Sequence, residues 1–453
     1  MTRGTDAATP TDAGRGPDAG QGPGASQGSD AGQRPGAGQG SDVGQDPDAG
    51  RGPLAGIRVL DMTSVVMGPY ATQWLGDFGA DVIKIEPPDG DVMRLSGPMR
   101  SPRMGHFYLS TNRNKRSLAI DLKRPAGRDI LLAMARHADV LVYNVRPQAM
   151  KRLGLGYETL QAVNPRLIFV GGFGFSQRGR YADRPAYDDL IQGMSAMPAL
   201  SAQAGGEPRY APVVLADRIV GIQLALAVTT ALFHRERSGR GQKIDVPMFE
   251  GLASMVLGEH LAGRQFHPPI GPTGHSRSLT PGRRPYRTRD GYLCTLIYND
   301  RQWRAFLQVI GKPELMHDDP RFASQGARLQ HIDEVYAYLS DVLRTRDTDE
   351  WLRLFAQADL PAAPLYSLDD LIDDAHLRDV GLLQTTEHPT EGEITSIANP
   401  TEWSDSPPAL HRHAPTLGEH TLEVLREHGF PEEQLRAWLA DGVVFAAQRT
   451  DPG

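Results

Sequence analysis

Apolar positions along this chain follow two rhythms, and the switch between them repeats. Gly56-Ile-Arg-Val-Leu-Asp61 is a short apolar run with β-branched residues, which predicts a strand. A turn over 63–69 follows, and residues 70–78 have helical spacing that stops at Gly79. Ala80-Asp-Val-Ile-Lys-Ile-Glu86 predicts a second strand, halted by Pro87-Pro88. Strand, helix and strand in that order bury their apolar faces as a parallel pair with a crossover helix. The rhythm continues with a strand at 117–121, a helix at 125–137, a strand at 140–143, helices at 148–153 and 157–164, and a strand at 167–170. After Asp217 comes a long apolar helix with a charged exit, His234-Arg-Glu-Arg237, and a stop at Gly239. A strand at 243–247 and a helix at 249–261 complete the series, so the expected fold class is α/β with a parallel sheet.

Before and after this series the pattern changes. Residues 1–52 hold 14 of the 49 glycines and almost no large apolar side chains. Such a stretch cannot bury enough surface to offset its ordering entropy, which predicts a disordered tail. The large domain is expected over 53–263. Residues 264–282, rich in Gly, Pro, Ser and Arg, read as a linker. A small domain is expected over 283–375, with a strand in 291–298 and helices at 301–310, 333–344 and 348–358. Residues 376–447 are expected to return to the large domain, with helical stretches at 420–428 and 431–439.

Composition narrows the chemistry. The net charge of −7 disfavours a protein that lives on nucleic acid or anionic lipid, because both need an excess of Lys and Arg. The single cysteine, Cys294, excludes an intramolecular disulfide and a multi-thiolate zinc site, and fits a reducing, cytoplasmic setting. The first residues lack the apolar core of a signal peptide, and no run of about 18 uninterrupted apolar residues occurs, so no membrane partner is expected. Gly171-Gly-Phe-Gly174 follows a strand, but a dinucleotide fingerprint would need glycine at Gln177. Phosphate-loop, zinc-protease and nucleophile-elbow motifs are missing, and the histidines form no closely spaced pair on a helix face, so no metal is expected.

The remaining features form a recognisable series. Gly56-Ile-Arg-Val-Leu-Asp-Met-Thr63, Gly68-Pro69 and Leu75-Gly-Asp-Phe-Gly-Ala-Asp-Val-Ile-Lys-Ile-Glu86 open it. Asn112-Arg-Asn-Lys-Arg-Ser117, Asn144-Val-Arg-Pro147, Arg152-Leu-Gly-Leu-Gly156, Ala182-Asp-Arg-Pro-Ala-Tyr-Asp188, Ala216-Asp217 and His234-Arg-Glu-Arg-Ser-Gly-Arg-Gly-Gln242 follow in order, then Leu360-Pro-Ala-Ala-Pro364 and His376-Leu-Arg-Asp379. Over about 53–430 the chain resembles the class III CoA-transferases (CaiB/BaiF type). That family includes formyl-CoA transferase, carnitine CoA-transferase and α-methylacyl-CoA racemase.

The resemblance implies a Rossmann-like large domain, a smaller α/β domain and interlocked homodimers. It implies transfer of coenzyme A from an acyl-CoA donor to a small carboxylic acid, with the CoA thioester as substrate and no permanently bound cofactor. Asp217 matches the nucleophilic aspartate, which passes through a mixed anhydride and an enzyme–CoA thioester. From the residues alone, an acid at a helix start is equally an N-cap, stabilised by the helix dipole. Racemases of the family resemble Gly-His-Asp where this chain has Ala186-Tyr187-Asp188. Tyrosine is a poor base near neutral pH, which disfavours racemisation of a 2-methylacyl-CoA, the alternative activity; a CoA-binding protein without turnover is a third reading. Asp188 reads either as orienting the site or as a helix cap. Lys123, Asn144, Arg146 and Arg152 match CoA-contacting positions, where Lys and Arg suit phosphate. Val66 and Met67 match a loop that approaches the thioester arm, and Gly172 and Gly174 would let the backbone pass close to CoA. The glycine run of formyl-CoA transferases is absent near 271–284. Arg277, Arg283 and Arg284 stand there instead, which points to a dicarboxylic acceptor.

Overall fold

The computed structural model describes residues 52–447, so the tail expected over residues 1–52 lies almost wholly outside the described residues. Twelve strands are assigned within them: β1 (Arg58–Met62), β2 (Asp81–Glu86), β3 (Lys115–Ile120), β4 (Val140–Tyr143), β5 (Ile168–Phe173), β6 (Lys243–Pro247), β7 (Tyr286–Arg287), β8 (Tyr292–Thr295), β9 (Ala362–Pro364), β10 (Leu383–His388), β11 (Gly392–Ile397) and β12 (Val444–Phe445). Seven of them form one sheet in the order β12-β3-β2-β1-β4-β5-β6. β1 to β6 are parallel, and β12 pairs antiparallel to β3.

The two-residue period of the strands divides the core. Leu60, Ile83 and Leu141 lie side by side in register and feed one apolar cluster, which the helices Pro125–Ala135 and Thr421–Glu427 cover. Val59, Val82 and Val140 point to the other face, beneath the helices Met67–Asp77 and Leu215–Ser238. These strands are therefore apolar on both faces, as a covered parallel sheet requires. The helices Met67–Asp77 and Leu215–Ser238 touch where Gly221 lacks a side chain; a Cβ there would lie 2.8 Å from the Met67 carbonyl oxygen.

The helix expected from residue 70 begins at Met67. Gly68-Pro69 reads as a turn in sequence, but proline in a first turn gives up only an amide that has no helical partner. The helix Leu215–Ser238 is long and apolar enough, by length and composition, to cross a membrane. In this fold Val220, Leu224 and Val228 are buried in the core beneath it. A third apolar cluster, from Tyr286 to Leu360, packs Trp303, Phe306, Trp351 and Phe355 beside the three-stranded sheet β7-β8-β9. The stretch expected as a linker contains a short helix, Ser276–Leu279. The β10–β11 hairpin and the helices Asp188–Met194 and Met197–Gln203 had no clear periodic signal.

Candidate active site

Strand order reverses direction between β1 and β4, so the chain leaves those two neighbours toward opposite faces of the sheet. A crevice forms at their C-terminal ends, the place where doubly wound sheets bind ligands. It measures about 270 Å³ and is lined by Ser64, Val65 and Met67 after β1, Asn144 and Arg146 after β4, and Gly172 to Phe175 at the end of β5. Arg184, Tyr187 and Asp217 close it.

Asp217 is the third residue of the helix Leu215–Ser238, and the N-cap is Val214, which makes no side-chain cap. This corrects the reading of Asp217 as a cap. The capping role falls instead to Asp188, whose Oδ1 accepts the Asp217 N–H at 2.9 Å. The other Asp188 oxygen accepts from Gln192 Nε2 at 2.6 Å, and Gln192 Oε1 accepts the Ala211 N–H at 2.9 Å. Asp188 is itself the first residue of the helix Asp188–Met194, whose N-cap position is Tyr187 with no side-chain cap, so its carboxylate serves the start of the helix Leu215–Ser238 rather than its own. Burial and the Asp188 carboxylate push the Asp217 carboxyl up to about 7, against the pull of Arg218. Arg218 stacks over the Tyr70 ring, its Cζ 4.3 Å from the centroid.

The other expected residues divide. Met67, Asn144, Arg146, Gly172, Gly174 and Tyr187 line the crevice, and Tyr187 is 68% exposed there. Val66 is buried behind it. Lys123 and Arg152 are exposed and lie outside the lining. Asn144 turns its amide to protein: Oδ1 accepts the Ser64 N–H at 3.0 Å, and Nδ2 donates to the Ser64 carbonyl at 2.7 Å. The glycines serve packing against protein atoms. A Cβ on Gly172 would lie 2.6 Å from Met67 Cε, and one on Gly174 would lie 2.0 Å from Ala186 Cβ. Arg277, Arg283 and Arg284 do not line the crevice of this chain; Arg277 faces Tyr298 in the apolar unit of β7-β8-β9. Sequence reasoning missed Arg184, which stacks on Tyr181 at 4.1 Å and, like Arg146, has no carboxylate partner among the described residues. An arginine in a polar loop looks like solvated surface charge, so only its place in the crevice lining marks it.

Beneath the crevice lies a buried ionic network. Asp61 accepts from Thr72 Oγ1 at 2.7 Å and from Lys115 Nζ at 3.0 Å, while Lys84 Nζ meets Asp91 at 3.0 Å. Burial alone would raise the Asp61 carboxyl, but Lys115 and Lys84 hold it below the usual range. Burial brings the Lys115 ammonium down to about 8.

A carboxylate, Asp217, and two guanidinium groups without a carboxylate partner among the described residues line one crevice at the switch point of a doubly wound α/β sheet. The profile of CoA-transferase family III matches residues 54–421. The chain is 34% identical to the succinate–glutarate CoA-transferase of Agrobacterium fabrum over 83% of this chain and 95% of that one. It is 33% identical to a formyl-CoA:oxalate CoA-transferase of Rhodopseudomonas palustris, over 84% of this chain and 95% of the other. A solved CaiB/BaiF family structure from Brucella suis, 29% identical, superposes with a TM-score of 0.71 over 83% of this chain and all of its own. The chain belongs to CoA-transferase family III and is an enzyme of that type.

Proposed function

We propose that this enzyme moves coenzyme A from an acyl-CoA donor to a free dicarboxylic acid through Asp217. The observation that carries the reading is that Asp217 is the one acid lining a crevice that also presents Arg146 and Arg184 without carboxylate partners. Ionised Asp217 attacks the thioester carbonyl, giving a mixed anhydride and CoA thiolate. The thiolate attacks the aspartyl carbonyl, which releases the donor acid and leaves an aspartyl–CoA thioester. The acceptor carboxylate attacks that thioester, forming a second anhydride and thiolate. The thiolate then takes the acceptor acyl group and frees Asp217. A carboxyl pushed up to about 7 is desolvated enough to be reactive and still half ionised at neutral pH.

Arg146 and Arg184 suit the phosphates of CoA and the second carboxylate of the acceptor. Relatives named for succinate–glutarate and formyl-CoA:oxalate exchange support a dicarboxylate. Racemisation has less support, because no histidine lines the crevice and its tyrosine is Tyr187. We read the working form as a homodimer: Ile222, Leu226 and Phe233 on the helix Leu215–Ser238 are 47, 63 and 59% exposed, an apolar stripe that a second copy would cover. The test incubates succinyl-CoA or acetyl-CoA with a pool of mono- and dicarboxylic acids and follows every CoA thioester by mass spectrometry. New dicarboxylyl-CoA from wild type alone, absent with Asp217→Ala, supports the reading. Equal exchange by the variant rejects Asp217, and light scattering of Leu226→Glu checks the dimer by its expected shift to monomer.

A further inference from the structure

Val65 has φ of +71° and is the one β-branched residue among the described non-glycine residues with positive φ. That conformation is sterically costly for valine and persists only where the surroundings over-determine it. Here every polar backbone group leading into it is held. The Thr63 N–H donates to Asp61 at 2.9 Å, and the Thr63 carbonyl accepts from Lys84 Nζ at 2.9 Å. Ser64 is bonded on both sides by Asn144. The Val65 N–H donates to Asp91 Oδ1 at 3.2 Å.

Asp91 is the member of this set that reaches Val65 itself. It is 3% exposed, and its second oxygen accepts from the buried Lys84 at 3.0 Å. Its own N–H is fixed on Glu86 Oε1 at 3.0 Å, and Oδ1 also accepts the Met93 N–H at 3.0 Å. The carboxylate is thus gripped from the end of β2. It transmits that grip to Val65, which with Met67 lines the crevice that holds Asp217.

We propose that Asp91 is a positioning residue: by bridging Lys84 and the Val65 N–H it holds Val65 in the left-handed conformation and so sets the Val65–Met67 wall of the active-site crevice. The inference deepens the CoA-transfer reading and rests on it for its effect on rate. A merely structural Asp91 would stabilise Lys84 and the short turn Val92–Leu95 without any link to Val65.

Glycine adopts positive φ without help, so a glycine at 65 should do without Asp91. The experiment compares Asp91→Ala, Asp91→Asn, Val65→Gly and the double variant Asp91→Ala/Val65→Gly in the full chain. Three quantities are measured: CoA transfer, thermal stability, and hydrogen–deuterium exchange over residues 62–75. Asp91→Ala should lose roughly 100-fold in kcat/KM, mostly in kcat, as a misplaced crevice wall does. The double variant should recover about tenfold of that while staying as unstable as Asp91→Ala. Asp91→Asn keeps one oxygen for the Val65 N–H but gives up the carboxylate anchored on Lys84, so it should lose less than Asp91→Ala, roughly tenfold in kcat/KM, with exchange at 62–75 raised above wild type; it carries the test if Asp91→Ala does not fold, and wild-type exchange in it overturns the proposal. Exchange at 62–75 should rise in Asp91→Ala and fall back in the double variant. No recovery in the double variant, or unaltered exchange in Asp91→Ala, overturns the proposal. If wild type transfers no CoA yet exchange follows this pattern, the functional reading fails and the positioning of Val65 stands.

Discussion

Two cavities open at opposite ends of the same parallel sheet, and the larger holds more ion pairs than the smaller. At the N-terminal ends of β1 to β3 a cavity of about 610 Å³ is lined by Arg58, Asp81, Arg116, Glu423 and Glu427. Most of its charges are matched within the chain: Arg58 and Arg116 meet Asp81 at 3.1 and 2.8 Å, and Arg116 also meets Glu423 and Glu427 at 3.1 and 2.7 Å, while Arg412 in the same lining meets His420 Nε2 at 2.9 Å rather than a carboxylate. At the C-terminal ends the crevice measures about 270 Å³, yet Asp217, Arg146 and Arg184 have no ion-pair partner among the described residues. Volume does not mark the chemistry. Matched charges tie the helix Thr421–Glu427 to β3, whereas the two exposed arginines of the crevice stay open to a ligand.

The contrast can be broken by mutation at each end. Asp217→Ala should lower CoA transfer by about 10³-fold or more, while Arg116→Ala should leave the rate unchanged, as read from thioester formation by mass spectrometry. Equal losses would erase the distinction between the two ends. Arg184→Gln and Arg146→Gln should each raise KM by roughly 10- to 100-fold, the range for a lost hydrogen bond to a charged group, with kcat little altered. Initial-rate kinetics separate the two parameters, and the pair of variants assigns one arginine to CoA and the other to the acid.

Titration sharpens the same comparison. In the proposed mechanism the reactive form of Asp217 is the anion, and its carboxyl is pushed up to about 7, so kcat/KM should rise about tenfold between pH 6 and 8 and then level off. The stability effect has the opposite sense. A folded-state value raised above the ordinary 3.8 favours the protonated fold, so the Asp217 contribution is fully present below about pH 4 and is lost as pH rises through about 7. Asp217→Asn should therefore stabilise the protein at pH 8 by roughly 2 kcal/mol, discounting for its partial exposure, and by nothing at pH 3.5. Arg116→Ala should cost about 1–2 kcal/mol at pH 7, because it leaves Asp81 without a second cation. Denaturant titrations at those pH values read both.

Much of the sheet was legible before any coordinates. Val140–Tyr143 and Lys243–Pro247 are strands at the expected residues, because short β-branched runs between turns admit few other readings. The β10–β11 hairpin was not legible: Leu383–His388 alternates weakly and carries Gln384, Thr385, Thr386 and Glu387, so nothing separates it from a polar loop. In the site, Asp217 was singled out through the family resemblance, since its place before an apolar helix alone reads as a cap, and its environment was misjudged. The sign of its shift depends on Asp188, 29 positions away, and on burial beneath the crevice rim.

The chain by itself determined the parallel α/β core, since two-residue and 3.6-residue periods dictate which face of each element is apolar. It also placed the candidate acid Asp217 at the start of a helix, but acid type and helix position alone left it between cap and nucleophile. Only the tertiary structure decided the neighbours. Asn144 clamps Ser64 across 80 positions, Lys115 reaches Asp61 across 54, and Asp91 props a left-handed Val65. Periodicity says which way a side chain points, but the atom it meets depends on sheet order and register, which arise from the packing of the whole chain.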